Sequence, residues 1–130
     1  MSEIKVIIRP QKDFPFIGEY RKRFAITDKT IFVAGDSIYT NYPLTKDLLV
    51  HEIVHLKQQE RDGLLNWVHD FLEYPQKRLD YELEAYRKQL ASIKDRNHRN
   101  EVRIESAKNL SSSLYGNIIS YQEAFDAMKV

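Results

Sequence analysis

Apolar and polar positions change period once along this chain, at about Pro43. Ahead of that point, short β-branched runs alternate with turn residues. Beyond it, apolar side chains recur every three to four positions, the spacing of one helix face. Ile4-Lys5-Val6-Ile7-Ile8 predicts a strand, ended by Pro10. Gln11 to Gly18 holds Pro15 and Gly18 and reads as a loop. Arg23-Phe24-Ala25-Ile26 and Thr30-Ile31-Phe32-Val33 flank Thr27-Asp28-Lys29, which suggests a hairpin. Ala34-Gly35-Asp36 is turn-like, and Ser37 to Thr40 suits a further short strand. The first forty residues therefore predict a small antiparallel sheet.

The remainder reads as helices. Thr45 can cap one from Lys46 to about Arg61, and Gly63 provides its stop. A shorter helix spans roughly Leu64 to Tyr74 and ends at Pro75. In it, Trp67 and Phe71 are core candidates. A third runs from about Lys77 to Asp95, and the polar Asn97 to Asn100 breaks it. Another follows from about Glu101 to Leu110, and Ser111-Ser112-Ser113 is loop. Ser120-Tyr121-Gln122-Glu123 has the form of a capping box and opens a last helix to Met128. That helix is expected to dock on the domain; covering a cleft as an inhibitory segment is its other use. The fold class is α+β, a small N-terminal sheet followed by a helical region.

Composition narrows this picture. At 130 residues, with 42% hydrophobic and 30% charged, a single globular domain over residues 1–130 is expected. The formal net charge of +1 gives no footprint for nucleic acid. Lys94 to Arg103 is basic, but no aromatics interleave it, so it reads as a solvated face. The absence of cysteine excludes disulfides and thiolate metal ligands and suits a reducing compartment. Met1 to Pro10 carries Glu3, Lys5 and Arg9, so no signal peptide is expected. No stretch reaches membrane-spanning length, and a cytoplasmic protein without a membrane partner is the expectation.

One segment proposes a specific chemistry. His51-Glu52-Ile53-Val54-His55 is an instance of H-E-x-x-H. With four His in the chain, composition alone gives about 0.01 such windows. On a helix the two imidazoles fall about 40° apart and can bind one Zn²⁺ together. Glu52 lies beside them, where it can take a proton from a metal-bound water. On a helical wheel Leu48, Gln58 and Gln59 share the His neighbourhood, while Leu49, Val50, Ile53, Val54 and Leu56 cover the other side. The apolar side is expected to pack inward, leaving the His pair on a polar stripe that faces a cleft.

A catalytic zinc needs a third protein ligand and one open position. His69 lies on the flank of the second helix, and His98 sits in a polar stretch, so both are weak candidates. Asp80-Tyr81-Glu82-Leu83-Glu84-Ala85-Tyr86 offers two glutamates that point about 200° apart in a helix. Glu82 lies at the edge of the apolar stripe Leu79, Leu83, Tyr86, Leu90 and Ile93. Glu84 lies about 140° from its centre and reads as solvated. A carboxylate on a packing edge needs a partner. Zinc would supply one for Glu82, and a salt bridge to Arg78 is the plainer alternative.

HEIVH followed by Glu82-Leu83-Glu84-Ala85-Tyr86 resembles the gluzincin-type zinc metallopeptidases. The small size is similar to their minimal members, the minigluzincins. His55-Leu56-Lys57-Gln58-Gln59 and Leu114-Tyr115-Gly116-Asn117 look similar to small metallopeptidases encoded by bacteriophages. The resemblance is specific over residues 51–86. It implies a zincin-like fold with His51, His55 and Glu82 as zinc ligands and Glu52 as general base and acid. Tyr86 stands where some such families have Asp or Asn, which leaves the support of the two His unassigned. The implied activity is hydrolysis of a peptide or protein substrate: zinc polarises the scissile carbonyl while Glu52 moves the water proton to the leaving amine. A strand edge at Thr30 to Val33 or Ser37 to Thr40 would bind substrate by strand addition. Tyr74, Tyr81, Tyr86, Tyr115 and Tyr121 are possible oxyanion donors. The competing expectation is a non-catalytic binding or structural module, such as a phage morphogenesis or host-interaction factor, on the same scaffold.

Overall fold

The computed structural model describes residues 5–112 and 117–129. Its sheet has three strands of three residues: β1 (Ile7–Arg9), β2 (Phe32–Ala34) and β3 (Ser37–Tyr39), in the order β1-β3-β2. β3 is central. It pairs antiparallel with β2, Val33 opposite Ile38, and parallel with β1, Ile8 opposite Ile38. The sheet is therefore mixed, which corrects the wholly antiparallel expectation. The hairpin closes at Gly35-Asp36 and not at Thr27-Asp28-Lys29. A two-residue hairpin with a glycine first needs positive φ there, and Gly35 supplies it at 66°. Arg23 to Ile26 forms no strand. The Gln11 side chain instead holds the following turn through Thr27 O (2.7 Å) and Thr30 O (2.8 Å). Long connections let β1 reach β3 in parallel.

Gln11 to Gly18 is not plain loop. A 3-10 turn covers Gln11–Asp13, and α1 spans Ile17–Arg21. α2 (Lys46–Asp62) begins as expected, with the Thr45 hydroxyl accepting from Leu48 N. It ends at Gly63, whose φ of 89° few other residues adopt. α3 spans Leu64–Glu73 and α4 Pro75–Ala91. Pro75 opens α4 as well as ending α3, because the first helical position needs no N–H donor. α5 spans Arg96–Leu110, so the polar Asn97 to Asn100 is its first turn and no break. The Asp95 carboxylate caps it by accepting from His98 N at 2.8 Å. α6 (Tyr121–Ala127) starts in the expected capping box of Ser120 and Glu123. Ile4, Ser113 and the Leu114-Tyr115-Gly116 stretch lie outside the described residues. No helix among the described residues is long and apolar enough to cross a membrane.

Two apolar clusters form. The first joins the sheet to α1, α2 and α3 through Phe14, Tyr20, Phe32, Ile38, Leu56, Trp67 and Phe71. The second joins α4, α5 and α6 through Leu79, Leu90, Leu110, Ala124 and Met128. α6 thus docks behind α5. Between the clusters, the α2–α4 contact is polar, and the candidate site lies in that seam.

Candidate metal centre

α2 buries its polar side. His51, Glu52, His55, Gln58 and Gln59 are all at most 7% exposed. Val50, Ile53 and Val54 are only half-buried. The expectation that the apolar side packs inward is corrected: of that side only Leu56 is fully buried. The reason is α4, which presents hydrogen-bonding groups opposite the stripe. Buried polar groups are tolerated where each finds a partner.

The two imidazoles stand nearly perpendicular, with ring centroids 4.9 Å apart. Ligand-capable atoms of His51, Glu52 and His55 all lie within 4.8 Å of one another, so this buried group can hold a metal ion. From α4, Glu82 Oε1 comes within 2.6 Å of His55 Nε2 and 3.2 Å of His51 Nε2. The other ring nitrogens face glutamines. His51 Nδ1 is 2.9 Å from Gln89 Oε1, and His55 Nδ1 is 2.9 Å from Gln58 Oε1.

Charges in the seam shift one another. Burial opposes charge on His55, but the Glu82 carboxylate against it raises its pKa to about 9. Burial would raise Glu82, yet the two imidazoles hold its carboxyl far below the usual range. Glu52 moves the other way. Its burial raises the pKa, partly offset by His51 and His55 and reinforced by Glu82. It accepts no hydrogen bond among the described residues. A buried carboxylate of raised pKa is suited to accept and return a proton.

A cleft of about 830 Å³ opens over this group. Its floor is α2, with His51, Glu52 and His55. One wall is Ile26 to Val33, leading into β2, and the other is the α5 face of His98, Glu101, Val102 and Glu105. No α6 residue lines it, so the last helix does not cover the site. His98 therefore reaches the cleft wall but not the metal-capable group. His69 is exposed beside Asp70 and Tyr74, away from the site. Glu84 is half-exposed and accepts from Gln58 Nε2 at 2.7 Å. Of the tyrosines singled out from the sequence, Tyr86 lines the cleft with its ring 4.5 Å from that of His51. Tyr81 donates to Asp62 Oδ2 at 3.1 Å instead. Tyr74 packs on His69, Tyr121 stacks on Phe125, and Tyr115 is outside the described residues.

Sequence reasoning missed three contributors. Gln58 shares the His stripe of α2, so its position was a usable signal. Gln89 is two turns beyond Glu82 on α4, the same face at i+7. Tyr20, on α1, lines the cleft with a buried ring that burial and the Glu82 charge push well up in pKa; nothing in its local sequence marks it. No protein-family model, curated protein or solved structure matches the chain.

Proposed function

We propose that the chain is a zinc-dependent peptidase of the gluzincin, zincin-like type. The observation that carries this reading is the convergence of His51 Nε2, His55 Nε2 and Glu82 Oε1 beside buried Glu52, on the floor of a cleft. The donor set fits zinc. Both Nδ1 atoms face glutamine carbonyls, so two imidazole lone pairs and a carboxylate oxygen aim at one point. They need positive charge between them. Tetrahedral zinc sets neighbouring donors about 3.3 Å apart. The His51–Glu82 separation of 3.2 Å matches, and the 2.6 Å of His55–Glu82 would have to open by about 0.7 Å to admit the ion.

Zinc held there supplies the Lewis acidity that polarises a scissile carbonyl and acidifies an attacking water. Glu52 takes the proton from that water and delivers it to the leaving amine. Its burial keeps the proton from solvent during the transfer. Tyr20 and Tyr86 line the cleft, and their hydroxyls are the candidate donors to the developing oxyanion. Ser37–Tyr39 is the central strand, with a neighbour on each side, so it has no free edge for a substrate. Thr30 and Ile31, which lead into β2, line the cleft ahead of the point where Gln59 takes up the Val33 carbonyl, and an extended peptide lies alongside them.

Elemental analysis and proteolysis test this reading. Wild type and Glu84→Ala should retain about one zinc per chain, and Glu82→Ala should lose it. Glu52→Gln should keep the metal and lose cleavage of an unfolded protein substrate, by about two orders of magnitude or more. Zinc kept in Glu82→Ala but lost in Glu84→Ala would overturn the ligand set. A wild type that binds zinc but cleaves nothing across a broad peptide library is the result of a non-catalytic module.

A further inference from the structure

The two glutamines behind the imidazoles are themselves held in one orientation. Gln58 Oε1 accepts from Trp67 Nε1 at 3.1 Å, while Gln58 Nε2 donates to Tyr81 O at 3.0 Å and to Glu84 Oε1 at 2.7 Å. An indole N–H can only donate, and a backbone carbonyl can only accept. Flipping the Gln58 amide would set N–H against N–H on one side and oxygen against oxygen on the other. Gln89 is fixed likewise. Its Nε2 donates to Asp47 Oδ2 at 2.7 Å, and a carboxylate offers no proton in return. In both cases the amide oxygen is left facing a histidine Nδ1 at 2.9 Å. That nitrogen has to carry the hydrogen.

We infer that Trp67 and Asp47 are positioning residues for the metal centre: acting through Gln58 and Gln89, they keep a hydrogen on Nδ1 of His55 and His51, so that the Nε2 atoms facing Glu82 are the ones left to take the metal. Neither residue touches the ligand point. Asp47 sits one turn before His51 on α2, and Trp67 comes from α3. Gln89 comes from α4, so three helices set two tautomers. The inference rests on the zinc reading above, and it explains how the site does without a carboxylate at position 86.

Asp47→Asn is the sharpest variant, because it is nearly isosteric. An asparagine at 47 can donate to Gln89 Oε1, which lets the Gln89 amide turn over and present N–H to His51 Nδ1. His51 then carries its hydrogen on Nε2, pointing at Glu82, and is blocked as a ligand. Trp67→Phe keeps the ring packing and removes only the N–H that orients Gln58. The measurement is Zn²⁺ affinity by chelator competition on the full chain, with ¹⁵N spectra of the His rings in the zinc-loaded and metal-free protein. Wild type should show zinc on both Nε2 atoms and hydrogen on both Nδ1 atoms. Each variant should bind zinc about tenfold more weakly. In the metal-free variants the Nε2–H facing Glu82 should remain while the hydrogen on Nδ1 is lost or its bond to the glutamine broken: the His51 Nδ1 signal should change in Asp47→Asn and the His55 Nδ1 signal in Trp67→Phe. Unchanged affinity and unchanged ring spectra in Asp47→Asn would overturn the inference, whether or not Trp67→Phe folds. A wild type that binds no zinc would instead sink the zinc reading itself.

Discussion

His55 and Glu82 can be joined by a proton or by a cation, and the two states respond to pH with opposite sign. Without metal, Glu82 stays ionised down to low pH, and its charge lifts His55 from 6.5 to about 9. The pair then contributes fully between the ordinary glutamate value of 4.5 and the ordinary histidine value of 6.5. Above 6.5 the unfolded chain sheds its histidine proton first, so the contribution fades as pH rises through about 9. Burial of Glu52 acts with the same sign, beginning at the ordinary glutamate value of 4.5, since its folded pKa is raised. The loss is on the order of 3 kcal/mol, at about 1.4 kcal/mol for each pH unit. Zinc bound as proposed should reverse the sign for His55, because a ligating imidazole is neutral and metal uptake releases the proton. Melting curves of chelator-treated protein should therefore fall between pH 6.5 and pH 9. The increment from excess zinc should grow over the same range. A chelated protein equally stable at both values would show that His55 carries no raised charge.

At the scale of elements, α2 does more than carry the proposed ligands. Gln59 Nε2 donates to Val33 O at 3.0 Å, and its Oε1 accepts from Gly35 N at 2.8 Å, so one buried side chain clamps the β2–β3 hairpin. Such short strands need that outside tie. Gln59→Ala leaves both backbone groups unpaired and should cost about 1–3 kcal/mol. Hydrogen exchange of the Gly35 amide should quicken while amides of α4 and α5 keep their protection; uniform protection would mean that the clamp is not used. This clamp also shows why some elements were legible in the sequence and others were not. Thr45, Gly63 and Ser120 act on their own helix ends, within a few residues, so they could be read directly. Asp95 is equally local, but a polar first turn and a polar loop have the same composition, and Asn97 to Asn100 reads as either. The sheet depends on which distant segments meet, and no local pattern states that β1 runs parallel to β3. The buried face of α2 was hidden for a related reason. A helical wheel counts the side chains of one helix and cannot count the partners that Glu82 and Gln89 bring from α4. His51, Glu52 and His55 were legible because their chemistry lies within one turn. Gln89 and Tyr20 were not, because only the fold brings them to the same cleft.

The molecule as a whole is two apolar clusters joined along a polar seam, and the seam is where metal chemistry is proposed. α5 belongs to both assignments. One of its faces walls the cleft, and another packs on α4 and α6. Arg103 fastens α6 to that second face. Its Nε and Nη2 both donate to Phe125 O, at 2.9 and 2.6 Å, and its guanidinium lies 3.7 Å over the Phe125 ring. Ala124 and Met128 beneath it are fully buried. Arg87 adds a bond from α4 to Ala127 O at 2.8 Å. The proposed ligands, by contrast, all come from α2 and α4, and α6 lines no part of the cleft. Stability and metal binding should therefore separate. Met128→Ala should cost about 2–5 kcal/mol as a large-to-small change in a closed cluster. Arg103→Ala should cost about 1.5–3 kcal/mol, the range for hydrogen bonds from a charged donor. Arg103→Lys should recover only part of this, since a lysine cannot donate twice in one plane while lying over the ring. In all three, zinc affinity measured well below the melting temperature should stay within about twofold of wild type, because none of these side chains touches a ligand or its support. A matching fall in zinc affinity would mean that the second cluster holds α4 in register with α2, and that the seam depends on α6 after all.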